Sequence, residues 1–118
     1  MTENTQVIDV TELPKTITGY LTAHRLRDAD TAIGAFASDA VVTDDGQTYR
    51  GTSEIHTWLD RGAAEFTYTI ELTGAEKIDD DRYTAVNHLE GDFPGGVVDL
   101  HFRFTLSGGQ IARLVIEA

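Results

Sequence analysis

The spacing of apolar residues changes near residue 66 from helical to strand-like, and this change restricts the folds that the chain can form. Ile17, Tyr20 and Leu21 lie three or four residues apart, which places them on one face of a helix. From Phe66 onward, apolar and polar residues alternate, beginning with Tyr68. Helices followed by an antiparallel meander predict an α+β domain in which the helices cover one face of the sheet.

Turn and cap residues set the expected element boundaries. Thr11 is a candidate N-cap for the first helix, with Pro14 in its first turn. The other expected elements are helices over Thr31–Ser38 and from Thr52 or Ser53 onward, and strands over Ala40–Thr43, Tyr83–Glu90, Val97–Leu106 and Gln110–Glu117. Residues 1–10 are expected to form a flexible arm and residues 11–118 a single domain.

Composition excludes several classes of function. The net charge is −11, from 20 acidic and 9 basic residues, and such a surface repels nucleic acid and anionic lipid. The chain has no cysteine, so thiol chemistry and disulfides are excluded. It has no apolar run long enough to span a membrane, and its N-terminus does not have the pattern of a signal peptide. We therefore expect a cytoplasmic protein that binds neither nucleic acid nor membrane.

A glycine-rich turn over residues 92–96 predicts a hairpin between the two central strands of the meander. If Asp92 pairs with Val97, the inner face is apolar except for Asn87, which then needs a hydrogen-bond partner. The outer face would place His88 opposite His101 and Glu90 opposite Asp99. These four side chains could bind a metal or form a dimer surface, and we favour the dimer surface.

Asp44 and Asp45 follow a short apolar strand and precede Gly46. A carboxylate at the end of a strand, next to helices that could cover it, is suited to act as a general base. The alternative is a pair of solvated carboxylates that help to form a turn. The functional question is therefore whether Asp44 lies in a pocket or in water.

The pattern F-A-x-D-A-x-V-x-D over residues 36–44, followed by R-G-T at 50–52, resembles the nuclear-transport-factor-2-like superfamily. This superfamily includes ketosteroid isomerases and SnoaL-like polyketide cyclases, and the resemblance covers residues 12–118. It implies a cone with a cystatin-like fold, in which a strongly curved, mainly antiparallel sheet wraps around three N-terminal helices. It also implies a pocket at the open end and homodimers formed through the outer face of the sheet.

Comparison with ketosteroid isomerase implies roles for individual residues. Asp44 matches that enzyme's general base, Tyr20 its oxyanion-hole tyrosine and Trp58 an aromatic wall of the pocket. Leu100 stands where the isomerase has a second, protonated aspartate, and Asp99 is one residue early and should face the other way. Steroid isomerisation is therefore not indicated, although a pocket with a tyrosine and an aspartate is.

Two more polar residues are candidates for the same pocket. His24 follows Tyr20 by one helical turn and could act as an acid or base, or be a half-buried histidine bonded to a carbonyl. Asn87 could orient a ligand or bond to a backbone group. The expected pocket residues are Tyr20, His24, Phe36, Asp44, Trp58, Asn87, Leu100, Phe102 and Leu114.

The predicted function is isomerisation, cyclisation or dehydration of a small hydrophobic carbonyl compound, without a cofactor or metal. Asp44 would be the base and Tyr20 the donor to the enolate oxygen, with His24 or Asn87 as an auxiliary group. Two alternatives remain open: a non-catalytic module that binds a small ligand, and a structural dimer with no occupied pocket.

Overall fold

A computed structural model describes residues 5–65 and 68–118 of the chain, without the side chains of 62–65. The described strands are β1 (Gln6–Ile8), β2 (Phe36–Asp44), β3 (Gln47–Arg50), β4 (Tyr68–Lys77), β5 (Arg82–Gly91), β6 (Val97–Ser107) and β7 (Gln110–Glu117). The described α-helices are α1 (Lys15–Arg25), α2 (Ala29–Ile33) and α3 (Gly51–Glu65). The predicted α+β class is confirmed, whereas the expected start of β4 at Phe66 lies outside the described residues.

The described strands form one mixed sheet in the order β1-β4-β5-β6-β7-β2-β3. Neighbouring strands are antiparallel except for β2 and β7, which are parallel. The meander β4–β7 occupies the centre, as the alternating pattern predicts. Helix α3 packs against β2, and α1 contacts both α2 and β7. Within the described ranges, no helix is long and apolar enough to cross a membrane.

The helices are interrupted by more strands than in the sequence-based prediction, which places only the strand Ala40–Thr43 between the second and third. Strand β1 precedes them, and the β2–β3 hairpin separates α2 from α3. Part of the expected flexible arm forms β1, since Gln6, Val7 and Ile8 pair with Lys77, Glu76 and Ala75 of β4.

The first helix begins later than predicted. Asp9 caps a short 3₁₀ helix over Val10–Glu12: its carboxylate accepts a hydrogen bond from the Thr11 backbone N–H at 2.9 Å. Helix α1 starts only after Pro14. The prediction of Thr11 as its N-cap is therefore wrong, because the residue before a proline favours extended backbone, as Leu13 shows (φ −64°, ψ 143°).

The second helix is shorter than predicted. Asp28 caps it, since its carboxylate accepts hydrogen bonds from the Thr31 backbone N–H at 3.2 Å and from the Thr31 hydroxyl at 2.6 Å. The expected helical segment 36–38 instead begins β2, because Phe36 pairs with Ile111 of β7 in the parallel ladder. This pairing joins residues far apart in the chain, so the local apolar pattern does not reveal it.

The hairpin between β5 and β6 has a register two residues away from the predicted one. Gly91 donates its backbone N–H to the Gly96 carbonyl at 3.0 Å. The turn is therefore closed by Gly91 and Gly96, and not by Asp92 and Val97. His88 therefore lies opposite Asp99, and the predicted pairing with His101 is wrong. A shift of two keeps every side chain on its predicted face.

The core lies between the inner face of the sheet and the helices. Tyr20 and Ile17 of α1 and Ile55 of α3 are buried there together with Phe102 and Phe104 of β6. Asn87 is also buried on this face, with only 3% of its surface exposed. The inner face of the hairpin is thus apolar apart from Asn87, as predicted.

Candidate functional site: a cavity with Asp44 on its wall

A cavity of about 660 Å³ lies between the three helices and the inner face of the sheet. Much of its lining is apolar, including Leu59, Leu89, Val98, Leu100, Phe102 and Ile116. Its polar lining includes His24, Arg27 and Asp44. Asp28, Asp45, Tyr68 and Glu117 are polar lining residues too, but apolar residues outnumber polar ones, and a cavity of this size with such walls is typical of small-molecule sites.

Asp44 reaches the cavity because strand periodicity carries it to the inner face. Ala40 and Val42 are fully buried on that face, and Asp44 follows at the same spacing of two. The Trp58 indole Nε1–H donates a hydrogen bond to Oδ2 of Asp44 at 3.0 Å. Trp58 stands on the buried face of α3, one turn after Ile55. The indole therefore fixes the orientation of the carboxylate.

Asp45 lies in the turn between β2 and β3, next to Gly46. Both residues have positive φ angles, 52° at Asp45 and 75° at Gly46, which suit a tight hairpin. The acidic pair is thus divided: Asp44 belongs to the cavity wall and is partly buried, whereas Asp45 is an exposed turn residue at its edge.

Tyr20 and His24 form a polar pair on α1. The Tyr20 hydroxyl lies 2.9 Å from Nδ1 of His24, one helical turn away. Burial lowers the pKa of His24 to about 4, so the imidazole is neutral at physiological pH. Burial, with a smaller contribution from the Asp44 charge, raises the pKa of Tyr20 well above its ordinary value, so the phenol is neutral too.

Aromatic rings hold this pair in place. The Tyr20 ring makes edge contacts with Phe36 at 5.3 Å and Phe104 at 5.8 Å between centroids. The His24 ring lies 5.6 Å from Phe102 and 6.2 Å from Trp58. His24 thus connects the core beneath the cavity to the indole that orients Asp44.

Five of the expected pocket residues line the cavity, namely His24, Asp44, Trp58, Leu100 and Phe102. Four others, Tyr20, Phe36, Asn87 and Leu114, are buried outside its lining. Tyr20 is only 1% exposed and reaches the cavity through His24. The Nδ2 atom of Asn87 has no hydrogen-bond partner among the described residues.

Sequence reasoning missed Arg27 and Tyr68 at the cavity. Helix α1 ends in a Schellman motif, with bonds from the Arg27 N–H to the His24 carbonyl (3.1 Å) and from the Asp28 N–H to the Ala23 carbonyl (2.9 Å). Arg27 has φ 58°, a conformation that usually requires glycine. Its guanidinium lies 5.1 Å from the centre of the Tyr68 ring and donates to the Tyr68 carbonyl at 3.3 Å.

The signal for these two residues was weak. Glycine at the end of a helix is what normally marks a left-handed cap, and here an arginine takes that position. Tyr68 fits the alternating pattern of a strand and was assigned only to that pattern. Burial raises the pKa of Tyr68, the Arg27 charge lowers it, and the Asp44 charge raises it slightly, which places all three groups in one electrostatic environment.

The polar residues on the outer face of the hairpin form hydrogen bonds with one another. His88 contacts Asp99 through Nδ1 at 2.6 Å and Glu90 through Nε2 at 2.9 Å. These bonds raise the pKa of His88. Within residues 5–65 and 68–118, no group of three histidine, aspartate or glutamate side chains could hold a metal ion. As expected, Asp99 faces away from the cavity, while Leu100 lines it.

Comparison with known proteins gives matches among solved structures. A proposed polyketide cyclase from Sinorhizobium meliloti is 32% identical, with 93% of this chain and 100% of that chain covered and a TM-score of 0.86. A Catenulispora acidiphila protein with a ketosteroid isomerase-like fold, in complex with trimethylamine, is 20% identical over 89% of this chain and 85% of that chain, with a TM-score of 0.78. A Mycobacterium tuberculosis protein in complex with estradiol-17β-hemisuccinate is 16% identical over 87% and 90%, with a TM-score of 0.72.

No family model and no curated protein matches the chain. The two structures at 20% identity or less show a shared fold. The Sinorhizobium protein is similar over its whole length and at higher identity, so it also shows common family membership. The chain belongs to the nuclear-transport-factor-2-like superfamily, as a SnoaL-like relative of that proposed polyketide cyclase.

Proposed function

We propose that the cavity binds a small, largely apolar carbonyl compound and that Asp44 abstracts a proton from the carbon next to the carbonyl. The observation that carries this proposal is the Asp44 carboxylate on the cavity wall, held by the Trp58 indole N–H at 3.0 Å. A general base needs a fixed position near the proton that it removes. The indole N–H contributes to that fixed position.

The lining supports an apolar ligand. Leu89, Leu100 and Phe102 of the sheet and Leu59 of α3 give the ligand apolar contacts on both sides. The volume suits a molecule of two or more fused rings. One solved structure with this fold is in complex with estradiol-17β-hemisuccinate, a steroid ester, so the fold accommodates a polycyclic compound.

The chemistry needs a group that stabilises the enolate oxygen. The Tyr20–His24 pair is the candidate, since His24 borders the cavity and Tyr20 bonds to it. In the step, the proton moves from the α-carbon to the Asp44 carboxylate, and the electron pair of the C–H bond moves into the enolate. The proton then returns to a different carbon of the same molecule. The isomerisation therefore needs no cofactor.

Exchange of α-protons in D₂O tests this proposal. With 2-acetylnaphthalene as the probe, NMR follows replacement of the methyl protons by deuterium. Asp44→Asn is expected to slow the protein-dependent exchange about 100-fold or more, the contribution typical of a general base. Asp45→Asn is the matched control, because it changes the neighbouring carboxylate and asparagine accepts the positive φ at this position. Equal exchange by wild type and Asp44→Asn would overturn the assignment.

A non-catalytic binding module is the second candidate. The observation that favours it is Leu100, which lines the cavity where the resemblance to ketosteroid isomerase implies a protonated aspartate. Loss of that donor weakens enolate stabilisation but leaves the apolar walls intact. Binding of 2-acetylnaphthalene without protein-dependent exchange would identify this function.

The outer face of the sheet is our proposed surface for a homodimer. Val86 and Val115 lie on either side of the strand that carries His101, whose Nδ1 is buried without a partner among the described residues. Light scattering after gel filtration tests this, with Val86→Lys as the disrupting variant. A monomer at all concentrations would overturn the proposal.

A further inference from the structure

The hydrogen bond between Tyr20 and His24 can carry its proton in two ways. The Tyr20 hydroxyl can donate to Nδ1 of His24, or a protonated Nδ1 can donate to the hydroxyl oxygen. The two arrangements place the other imidazole proton differently. Since one nitrogen of a neutral imidazole is a donor and the other an acceptor, the state of Nδ1 determines the state of Nε2.

Burial of Tyr20 favours one of these arrangements. Tyr20 is 1% exposed, and its ring packs edge-on against those of Phe36 and Phe104, so the side chain is shielded from bulk solvent. Nδ1 of His24 is the one hydrogen-bond partner of its hydroxyl among the described residues. If Nδ1 carried the proton, the hydroxyl hydrogen would have no acceptor, which costs more than the bond would gain.

The ring edge opposite Tyr20 is therefore the functional one. His24 lines the cavity and its Nδ1 bonds to the buried Tyr20 hydroxyl, which leaves Nε2 as the ring nitrogen available to a ligand. Phe102 and Trp58 contact the ring and prevent it from turning over freely. With its proton on Nε2, a neutral imidazole presents a hydrogen-bond donor at that nitrogen and keeps its acceptor at Nδ1.

We infer that Tyr20 is a positioning residue: its hydroxyl keeps His24 in the Nε2–H form, and His24, not Tyr20, donates a hydrogen bond to the ligand in the cavity. The ligand must then present an acceptor such as a carbonyl oxygen to His24. A ligand whose only polar groups are donors would be rejected, because Nε2–H would lose its partner. The donor role rests on the proposed function, whereas the tautomer does not.

Nitrogen NMR of the histidine rings tests the tautomer directly, without any ligand. Two-bond ¹H–¹⁵N correlation spectra at neutral pH show which ring nitrogen carries the proton, and His24→Gln assigns the signals. The expected wild-type result is a proton on Nε2 and none on Nδ1. A proton on Nδ1 would overturn the inference whether or not any variant folds.

The matched variant removes only the hydroxyl. Tyr20→Phe is expected to convert His24 to a mixture of tautomers, while the signals of His88, whose ring bonds to Asp99 and Glu90, stay unchanged. An unchanged His24 tautomer in this variant would show that Tyr20 does not set it.

The donor role is tested with two probes of the same shape. 2-Acetylnaphthalene carries a carbonyl acceptor, and 2-ethylnaphthalene carries none. The affinity ratio of ketone to hydrocarbon is compared between wild type and Tyr20→Phe/His24→Phe, which removes both polar groups and leaves no unpartnered hydroxyl. We expect the ratio to fall roughly three- to tenfold, the value of one hydrogen bond. An equal ratio would overturn the donor role, whereas failure of both probes to bind wild type would count against the proposed function, and the tautomer would still be decided by the spectrum.

Discussion

Arg27 occupies a backbone conformation that is costly for any residue with a Cβ atom. Its φ of 58° places it in the left-handed region, where an L-residue loses roughly 1–2 kcal/mol relative to glycine. Two variants separate this cost from the contacts of the side chain. Arg27→Ala and Arg27→Gly both lose the cation–π contact with Tyr68, but only the glycine variant releases the backbone strain.

The size of the difference follows from two opposing effects. Release of strain stabilises the glycine variant. The greater conformational freedom of glycine in the unfolded chain destabilises it by about 0.5–1 kcal/mol. We therefore expect Arg27→Gly to be more stable than Arg27→Ala by about 0.5–1 kcal/mol, or about 3 °C in Tm for a domain of this size. Urea unfolding followed by the fluorescence of Trp58 measures the difference. Equal stabilities, or a more stable alanine variant, would refute the assignment of stored strain.

Three further changes have expected outcomes. Trp58→Phe removes the N–H donor to Asp44 at 3.0 Å and should destabilise the protein by about 1–3 kcal/mol in urea unfolding while slowing α-proton exchange; unchanged exchange would show that the indole does not position the base. Asn87→Leu replaces a buried amide whose Nδ2 has no partner among the described residues and should stabilise by about 1 kcal/mol in thermal unfolding; a loss of that size would reveal a bonded amide. Hydrogen bonds to Asp99 and Glu90 raise the pKa of His88, so its contribution to stability is full below its ordinary value of 6.5 and is lost as pH rises through the raised value. The stability difference between wild type and His88→Gln should therefore be larger at acid than at alkaline pH, and a difference that grows with pH would contradict this.

Strand periodicity made much of the meander predictable. The limits of β7 at Gln110 and Glu117 and the start of β6 at Val97 agree with the sequence, because turns with glycine bound both strands. The register of the β5–β6 hairpin was missed by two residues, because Gly91 and Gly96 close the turn where Asp92 and Val97 were expected to pair. Both registers keep Asn87 inside and Asp99 outside, so the composition of each face was still correct.

Pairing between distant residues was not predictable from local patterns. Phe36 and its neighbours fit a helical face as well as a strand, and only the parallel contact of Phe36 with Ile111 decides between them. The site shows the same limit. The spacing of Tyr20 and His24 predicted that they share a face, but not that His24 borders the cavity while Tyr20 lies behind it. Arg27 was missed because its left-handed conformation has no sequence marker.

The central claim is that the ligand of this protein lies against Asp44 inside the cavity. NMR titration with 2-acetylnaphthalene tests it most directly, by following the Asp44 carboxyl carbon and the Trp58 indole N–H together. Because these two groups share a hydrogen bond at 3.0 Å, both signals should move along one binding curve, with those of Leu100 and Phe102 and without those of His88 on the outer face. Binding that shifts residues of the outer face and leaves Asp44 and Trp58 unchanged would contradict the claim.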